Sequence, residues 1–178
     1  ADEAHGAHFA FSELLPQPSR ADAVIYGLHK TLPVYTAGAL MCLRSDRDAD
    51  ASAFYRQRVH TTSPSYMVMA SNDLARARYE CEGSAVYRMI KEKVKEAFPA
   101  RRAGAFGILQ NDDFSRLVLI NECYAASEFV LALTEKGIYP EAAIEDKAVF
   151  IVTENNAEKL PLLAAEAEKF VPAQKLVR

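Results

Sequence analysis

Lys30 stands in the run Gly27-Leu28-His29-Lys30-Thr31-Leu32-Pro33, directly after the apolar residues Ala23-Val24-Ile25-Tyr26. That apolar run reads as a buried strand. An ammonium group at the end of a buried strand is desolvated, and desolvation favours the neutral amine, which condenses with carbonyls. His29 beside it could donate or accept a proton. Taken alone, these residues fit a solvated loop lysine better. A second stretch, Asp2-Glu3-Ala4-His5-Gly6-Ala7-His8-Phe9, places a carboxylate just ahead of an imidazole and a glycine. It suits the end of another strand, although Asp2 could equally cap a neighbouring element and His5 could be structural. A third, His60-Thr61-Thr62-Ser63-Pro64-Ser65-Tyr66, sets hydroxyls just before a helix start. Free N–H groups and the helix dipole there make an anion site. An ordinary capping cluster explains Ser63 as well.

In this order and at these spacings, the three stretches resemble the ornithine/lysine/arginine decarboxylase family. These are pyridoxal-phosphate enzymes of the aspartate-aminotransferase fold, also called fold type I. In that family Asp-Glu-Ala-His-Gly supplies the carboxylate for the pyridine nitrogen. The lysine of Ser-x-His-Lys-Thr-Leu-Pro carries the cofactor. The Thr-Ser-Pro-Ser-Tyr segment approaches the cofactor phosphate of the partner subunit.

The resemblance implies pyridoxal 5'-phosphate as cofactor, held by Asp2, His5, His29, Lys30, Thr61, Thr62 and Ser63, with Lys30 and His29 catalytic. Lys30 would form a Schiff base, release it to the substrate amine and later return a proton. The cofactor is an electron sink for charge at the substrate α-carbon, and it works best when Asp2 keeps its nitrogen protonated. His5 would neighbour the cofactor's phenolic oxygen or Asp2, His29 would contact the phosphate or donate a proton, and His8 reads as structural. The implied reaction is decarboxylation of arginine, lysine or ornithine. Aminotransfer, β-elimination from a sulfur amino acid and a non-catalytic interaction domain remain open, because one fold hosts many functions. Two residues depart from the family pattern. Gly27 replaces a phosphate-binding serine, a loss of about 1 kcal/mol in cofactor affinity, and Ala37 replaces a common glutamine.

The elements that must position these residues follow from periodicity and punctuation. Strands are expected over Ala21–Tyr26 and within the apolar run Leu32–Leu43. Helices are expected over Asp48–Val59, capped by Asp46 or Asp48, and from Pro64 to about Phe98, capped by Ser63 or Ser65. The long helix carries an apolar stripe of Met67, Met69, Ala70, Leu74, Ala77, Cys81, Ala85, Met89, Ile90 and Val94, read as core, and Gly83 could bend it. Beyond Pro99–Gly104 the pattern changes to strands over Ala105–Gln110, Arg116–Asn121 and Lys147–Thr153, with helices over Tyr124–Lys136 and Asn156–Phe170. Gly137 is expected as a left-handed C-cap, and Pro172–Arg178 as a frayed tail.

The fold class is therefore α/β. Residues 1–99 form the C-terminal part of a cofactor-binding major domain, and residues 100–178 a small α+β sandwich. Gly137-Ile138-Tyr139-Pro140-Glu141 also resembles the family's helix-to-strand connection. The chain begins inside its first motif. It is expected to be part of a longer polypeptide, inactive without an N-terminal half that supplies the phosphate loop and the ring that stacks on the cofactor. A homodimer or higher homo-oligomer with shared sites is expected, acting on a small amino-acid substrate.

Composition bounds these readings. The 178 residues are 50% hydrophobic and 25% charged, with net charge −3, enough for one core and a smaller second one. Mild acidity gives no reason to expect nucleic acid or an anionic membrane as partner. No apolar run approaches the roughly 20 residues that span a bilayer. Cys42, Cys81 and Cys123 are widely spaced, without metal-ligand spacing. They read as buried, reduced thiols of a cytoplasmic protein.

Overall fold

A computed structural model of the chain describes residues 1–60, 63–121 and 125–171. The frayed tail expected at the C-terminus lies outside these residues. The chain divides into two compact units, 1–84 and 85–178. Helix and strand are mixed in both.

In the first unit, strand β1 (Ala23–Gly27) is the middle of three hydrogen-bonded segments. It pairs antiparallel with β2 (Ala39–Leu43), from Ala23 opposite Leu43 to Gly27 opposite Ala39. On its other edge the N-terminal segment runs parallel, with Asp2 bridged to Ile25. Ile25 donates to the Ala1 carbonyl (3.1 Å), Glu3 to Ile25 (2.9 Å) and Gly27 to Ala4 (3.1 Å). β1 is half-buried rather than buried as its composition suggested: Val24 faces the core, while Ile25 is 51% exposed. Successive strand residues point to opposite faces, so one face of β1 can pack while the other stays open.

A one-turn helix α1 (Leu28–Thr31) follows β1 directly. The apolar run 32–43 becomes strand only from Ala39, because Pro33 and a turn over Tyr35–Gly38 intervene. Ala37 in that turn has φ 68°, in the left-handed region. Helix α2 (Asp46–Val59) starts earlier than the sequence suggested, since Ser45 caps it by accepting from Asp48 N (3.2 Å). Its aromatic and apolar residues do not reach a core. Phe54 and Tyr55 are exposed and Val59 is 89% exposed.

Helix α3 (Tyr66–Ala97) is capped by Ser65, whose hydroxyl accepts from Val68 N (3.4 Å), and Pro64 lies ahead of the cap. Its buried residues within the first unit are Ala75, Tyr79 and Gly83, spaced four apart. Of the stripe read from the sequence Ile90 is buried, but Met67, Met69, Leu74 and Cys81 are exposed, Leu74 to 72%. Tyrosines and a glycine, which a hydropathy pattern undervalues, carry the packed face. Gly83 admits the backbone of a 3-10 turn at Ala7–Phe11, whose Phe11 carbonyl oxygen would lie 2.7 Å from a Cβ at position 83. The Phe11 and Tyr79 rings meet beside it at 5.7 Å.

The second unit holds a five-stranded antiparallel sheet: β3 (Arg102–Ala103), β4 (Phe106–Leu109), β5 (Arg116–Ile120), β6 (Ala142–Ile144) and β7 (Lys147–Ile151), in the order β3-β4-β5-β7-β6. Helices α4 (Ala126–Thr134) and α5 (Leu160–Lys169) pack against it. β3 and β6 are the strands that the sequence did not reveal. Both are short edge strands, and β3 lies in what read as a linker. The core gathers Phe106, Leu117, Leu119, Phe129, Leu133 and Ala148, with the Phe106 and Phe129 rings 4.3 Å apart. Gly137 has φ 70°, the left-handed C-cap expected there. Cys42 and Cys81 are exposed free thiols, contrary to the burial expected of them; Cys123 lies outside the described residues.

Phe129→Ala is expected to lower the stability of the second unit by about 3–5 kcal/mol, because it empties a closed aromatic contact. Urea unfolding followed by a probe in that unit measures the change.

Candidate active site

The site is built where the N-terminal segment runs beside β1. Residues paired across parallel strands project to the same face, so Asp2 shares a face with Ile25 and, two residues on, with Gly27. A Cβ at Gly27 would lie 3.3 Å from Lys30 Cδ, 3.4 Å from Cγ and 2.9 Å from the Ala4 carbonyl oxygen. The aliphatic stem of Lys30 therefore crosses the spot where a side chain at position 27 would stand. It lies on the face that carries Asp2.

Lys30 Nζ lies 3.2 Å from His5 Nε2. An ammonium group has only donors, so His5 accepts at Nε2 and carries its own proton at Nδ1. His5 reads in the sequence as a neighbour of the cofactor's phenolic oxygen or of Asp2, and Lys30 as the end of a buried strand. Here both His29 and Lys30 are exposed, on α1, so burial of the amine is not what distinguishes it in this chain. Asp2 closes a local turn, its Oδ1 accepting from Ala4 N (2.9 Å). His29 Nδ1 lies 3.0 Å from the Gly38 carbonyl oxygen. Ser63 is exposed ahead of α3, and Thr61 and Thr62 lie outside the described residues. Arg76 pairs along α3 with Asp73 (2.8 Å) and Glu80 (2.7 Å), as expected of a surface helix charge.

The fold thus brings Asp2, His5 and Lys30 to one region. An amine, an imidazole against it and a carboxylate on the same face suit a cofactor with an aldehyde at one end and a basic ring nitrogen at the other. Among the described residues no group of three His, Cys, Asp or Glu could hold a metal ion.

The profile of the Orn/Lys/Arg decarboxylase major domain matches residues 1–136. The chain belongs to the Orn/Lys/Arg decarboxylase family. It is 30% identical over 196 residues to the uncharacterized protein YaaO of Bacillus subtilis (strain 168), covering 99% of this chain and 41% of YaaO. The fold is that of lysine decarboxylases, an α/β transferase-like architecture. Francisella novicida lysine decarboxylase LdcF superposes with TM-score 0.76 at 15% identity, over 94% of this chain and 31% of that one. Pseudomonas aeruginosa lysine decarboxylase A gives 0.73 at 16% identity, over 93% and 32%. The constitutive lysine decarboxylase of E. coli gives 0.68 at 18% identity, over 94% and 32%. The chain therefore spans under half the length of the relatives it matches. Family membership establishes a decarboxylase-related domain, and the family is generally pyridoxal-phosphate-dependent.

Two features of this decarboxylase-family site had no signal in the sequence. One is the Gly38 carbonyl on His29. The other is Tyr26, whose phenol is pushed up to about 12 by burial first, then by the Glu3 carboxylate through its charge and a hydrogen bond, with a smaller contribution from Cys42. Glu3 also accepts from Ser19 N (2.6 Å), tying the motif to the segment ahead of β1. Only the folded chain reveals either contact.

Two outcomes are expected. Gly27→Ser, which restores the family's residue, should lower stability by about 1–3 kcal/mol, because the new Cβ meets the Ala4 backbone; chemical denaturation measures it. Tyr26 ionises near 10 in the unfolded chain and near 12 in the folded one. Its contribution to stability is full below pH 10 and is lost as pH rises from 10 to 12. Tyr26→Phe should flatten that part of the stability–pH curve.

Proposed function

We propose that this chain carries the lysine and carboxylate of a pyridoxal-phosphate-dependent decarboxylase acting on arginine, lysine or ornithine. The observation that supports it is the placement of Lys30 against His5, on the strand face that carries Asp2. When bound, the cofactor supplies an electron sink for the charge left at the substrate α-carbon as CO2 departs.

The chain's own residues then have separable tasks. Lys30 offers the amine that attaches the cofactor, and His5, whose Nε2 lies 3.2 Å from Nζ, orients that amine and can accept a proton from it as the cofactor is taken up. Asp2 favours a protonated ring nitrogen by opposite charge. His29, adjacent to Lys30, contacts the phosphate or returns a proton to the substrate carbon. Thr61, Thr62 and Ser63 would approach the phosphate of a second subunit. Lys30 would hold the cofactor through its amine and would give it up only to an incoming amine, so Lys30 and the substrate amine would compete for one position.

The reading also places the chain in the cytoplasm, in a homodimer or higher homo-oligomer, acting together with the further part of the polypeptide that its relatives carry beyond the matched share. The exposed free thiols of Cys42 and Cys81 suit a reducing compartment. Among the described residues no helix is long and apolar enough to cross a membrane.

A specific observation favours a second reading, a domain whose main task is to bind a partner. Ile25, Tyr35, Leu40 and Met41 form exposed apolar surface on and beside β1 and β2. Catalysis and partner binding separate by chemistry at one residue. After incubation with pyridoxal 5'-phosphate and borohydride reduction, peptide mapping is expected to find the cofactor mass on Lys30. Labelling should disappear in Lys30→Ala. A label on other lysines alone, or undiminished labelling in that variant, would remove the catalytic reading and leave the binding one.

A further inference from the structure

The Gly38 carbonyl oxygen receives three N–H groups from the start of α1. Leu28 N lies at 2.9 Å, His29 N at 3.5 Å and His29 Nδ1 at 3.0 Å. The first two occupy the N-terminus of the helix that carries Lys30. The third fixes the imidazole, because a carbonyl can only accept and Nδ1 must therefore carry the proton.

That carbonyl is itself held. Gly38 is buried and closes a turn by donating to Tyr35 O (3.3 Å). The turn passes through the left-handed Ala37, a conformation strained for an alanine that persists only where the surroundings hold it. Two residues of α3 lie against the turn. Ser71 Oγ accepts from Tyr35 N (2.8 Å), and Asn72 Oδ1 presses against Gly38, 2.7 Å from where its Cβ would be.

We propose that Gly38 is a positioning residue for His29. Asn72 Oδ1 leaves no room for a side chain at position 38, the Gly38 carbonyl holds Nδ1–H, and the imidazole is left with Nε2 as its single exchanging nitrogen. The consequence for chemistry is definite. His29 takes up a proton at Nε2 and gives it back from Nε2, while Nδ1–H stays on Gly38 throughout. The ring therefore keeps its orientation through a proton-transfer cycle, and a neutral His29 presents a lone pair, not a donor. The purpose of this arrangement rests on the proposed decarboxylase reading, but its geometry and its test do not.

The test is ¹⁵N-histidine labelling of the full chain with long-range ¹H–¹⁵N correlation, above the ordinary histidine pKa of about 6.5. The chain has four histidines, and His29→Gln assigns the resonance. Neutral His29 is expected with Nδ1 protonated and Nε2 bare, in several-fold excess over the other tautomer. Gly38→Ala is expected to abolish that excess, because its Cβ collides with Asn72 and displaces the carbonyl. Gly38→Ala combined with Asn72→Ala should restore it by removing the collision. A wild-type His29 protonated at Nε2 overturns the proposal, and this readout stands even where Gly38→Ala fails to fold. So does a tautomer unchanged in Gly38→Ala, or one that the double variant does not recover. Lys30 is not involved in the tautomer, so Lys30→Ala should leave it intact even if the labelling experiment above removes the catalytic reading.

Discussion

The close approach of the N-terminal segment to β1 is the constraint on which the first unit depends. Three main-chain hydrogen bonds hold residues 1–4 along the strand, and the last joins Gly27 N to Ala4 O. Gly27 is where the two backbones and the stem of Lys30 come closest, and any side chain there would meet the Ala4 carbonyl. The parallel pairing also sets the register. It puts Asp2 level with Ile25, and a slip of one residue would turn the carboxylate to the opposite face. The departure of this chain from the family's serine thus has a structural side: the position has been given over to backbone packing.

Helix α3 links chemistry to architecture. Its packed row of Ala75, Tyr79 and Gly83 accepts the 3-10 turn that follows the Asp-Glu-Ala-His-Gly motif. One turn nearer its N-terminus, Ser71 holds the turn ahead of β2 and Asn72 lies against its Gly38. The same helix therefore anchors the segments that follow both motifs, one carrying Asp2 and His5 and one reaching His29. Its other face, with Met67, Leu74 and Cys81, is apolar and exposed. A helix that is apolar on two faces makes a hydropathy pattern ambiguous, since either stripe satisfies the 3.6-residue period.

Much of the fold was legible where local chemistry dictates it. Gly137 could be placed in a left-handed C-cap because few other residues tolerate that conformation. The long helix and the β4, β5 and β7 strands follow from uninterrupted periodic runs. The edge strands β3 and β6 did not, because an edge strand draws its pairing from a neighbour rather than from its own composition. The apolar residues of α2 pointed to a core that those side chains do not enter. Hydrophobicity reports only that burial would be favourable, and here Phe54, Tyr55 and Val59 stay exposed.

The sequence by itself determined the reactive groups and the family. An amine beside an imidazole, a carboxylate motif upstream and a hydroxyl-rich segment ahead of a helix are properties of residue type and order, which survive without coordinates. Tertiary structure alone decided which groups meet: Lys30 on His5, Gly38 on His29, Glu3 near Tyr26. Those contacts join residues up to 25 positions apart. They depend on strand register and on which backbone atoms are left over to accept or donate. A carbonyl oxygen has no letter in the sequence, so its partner becomes known only when the chain has folded around it.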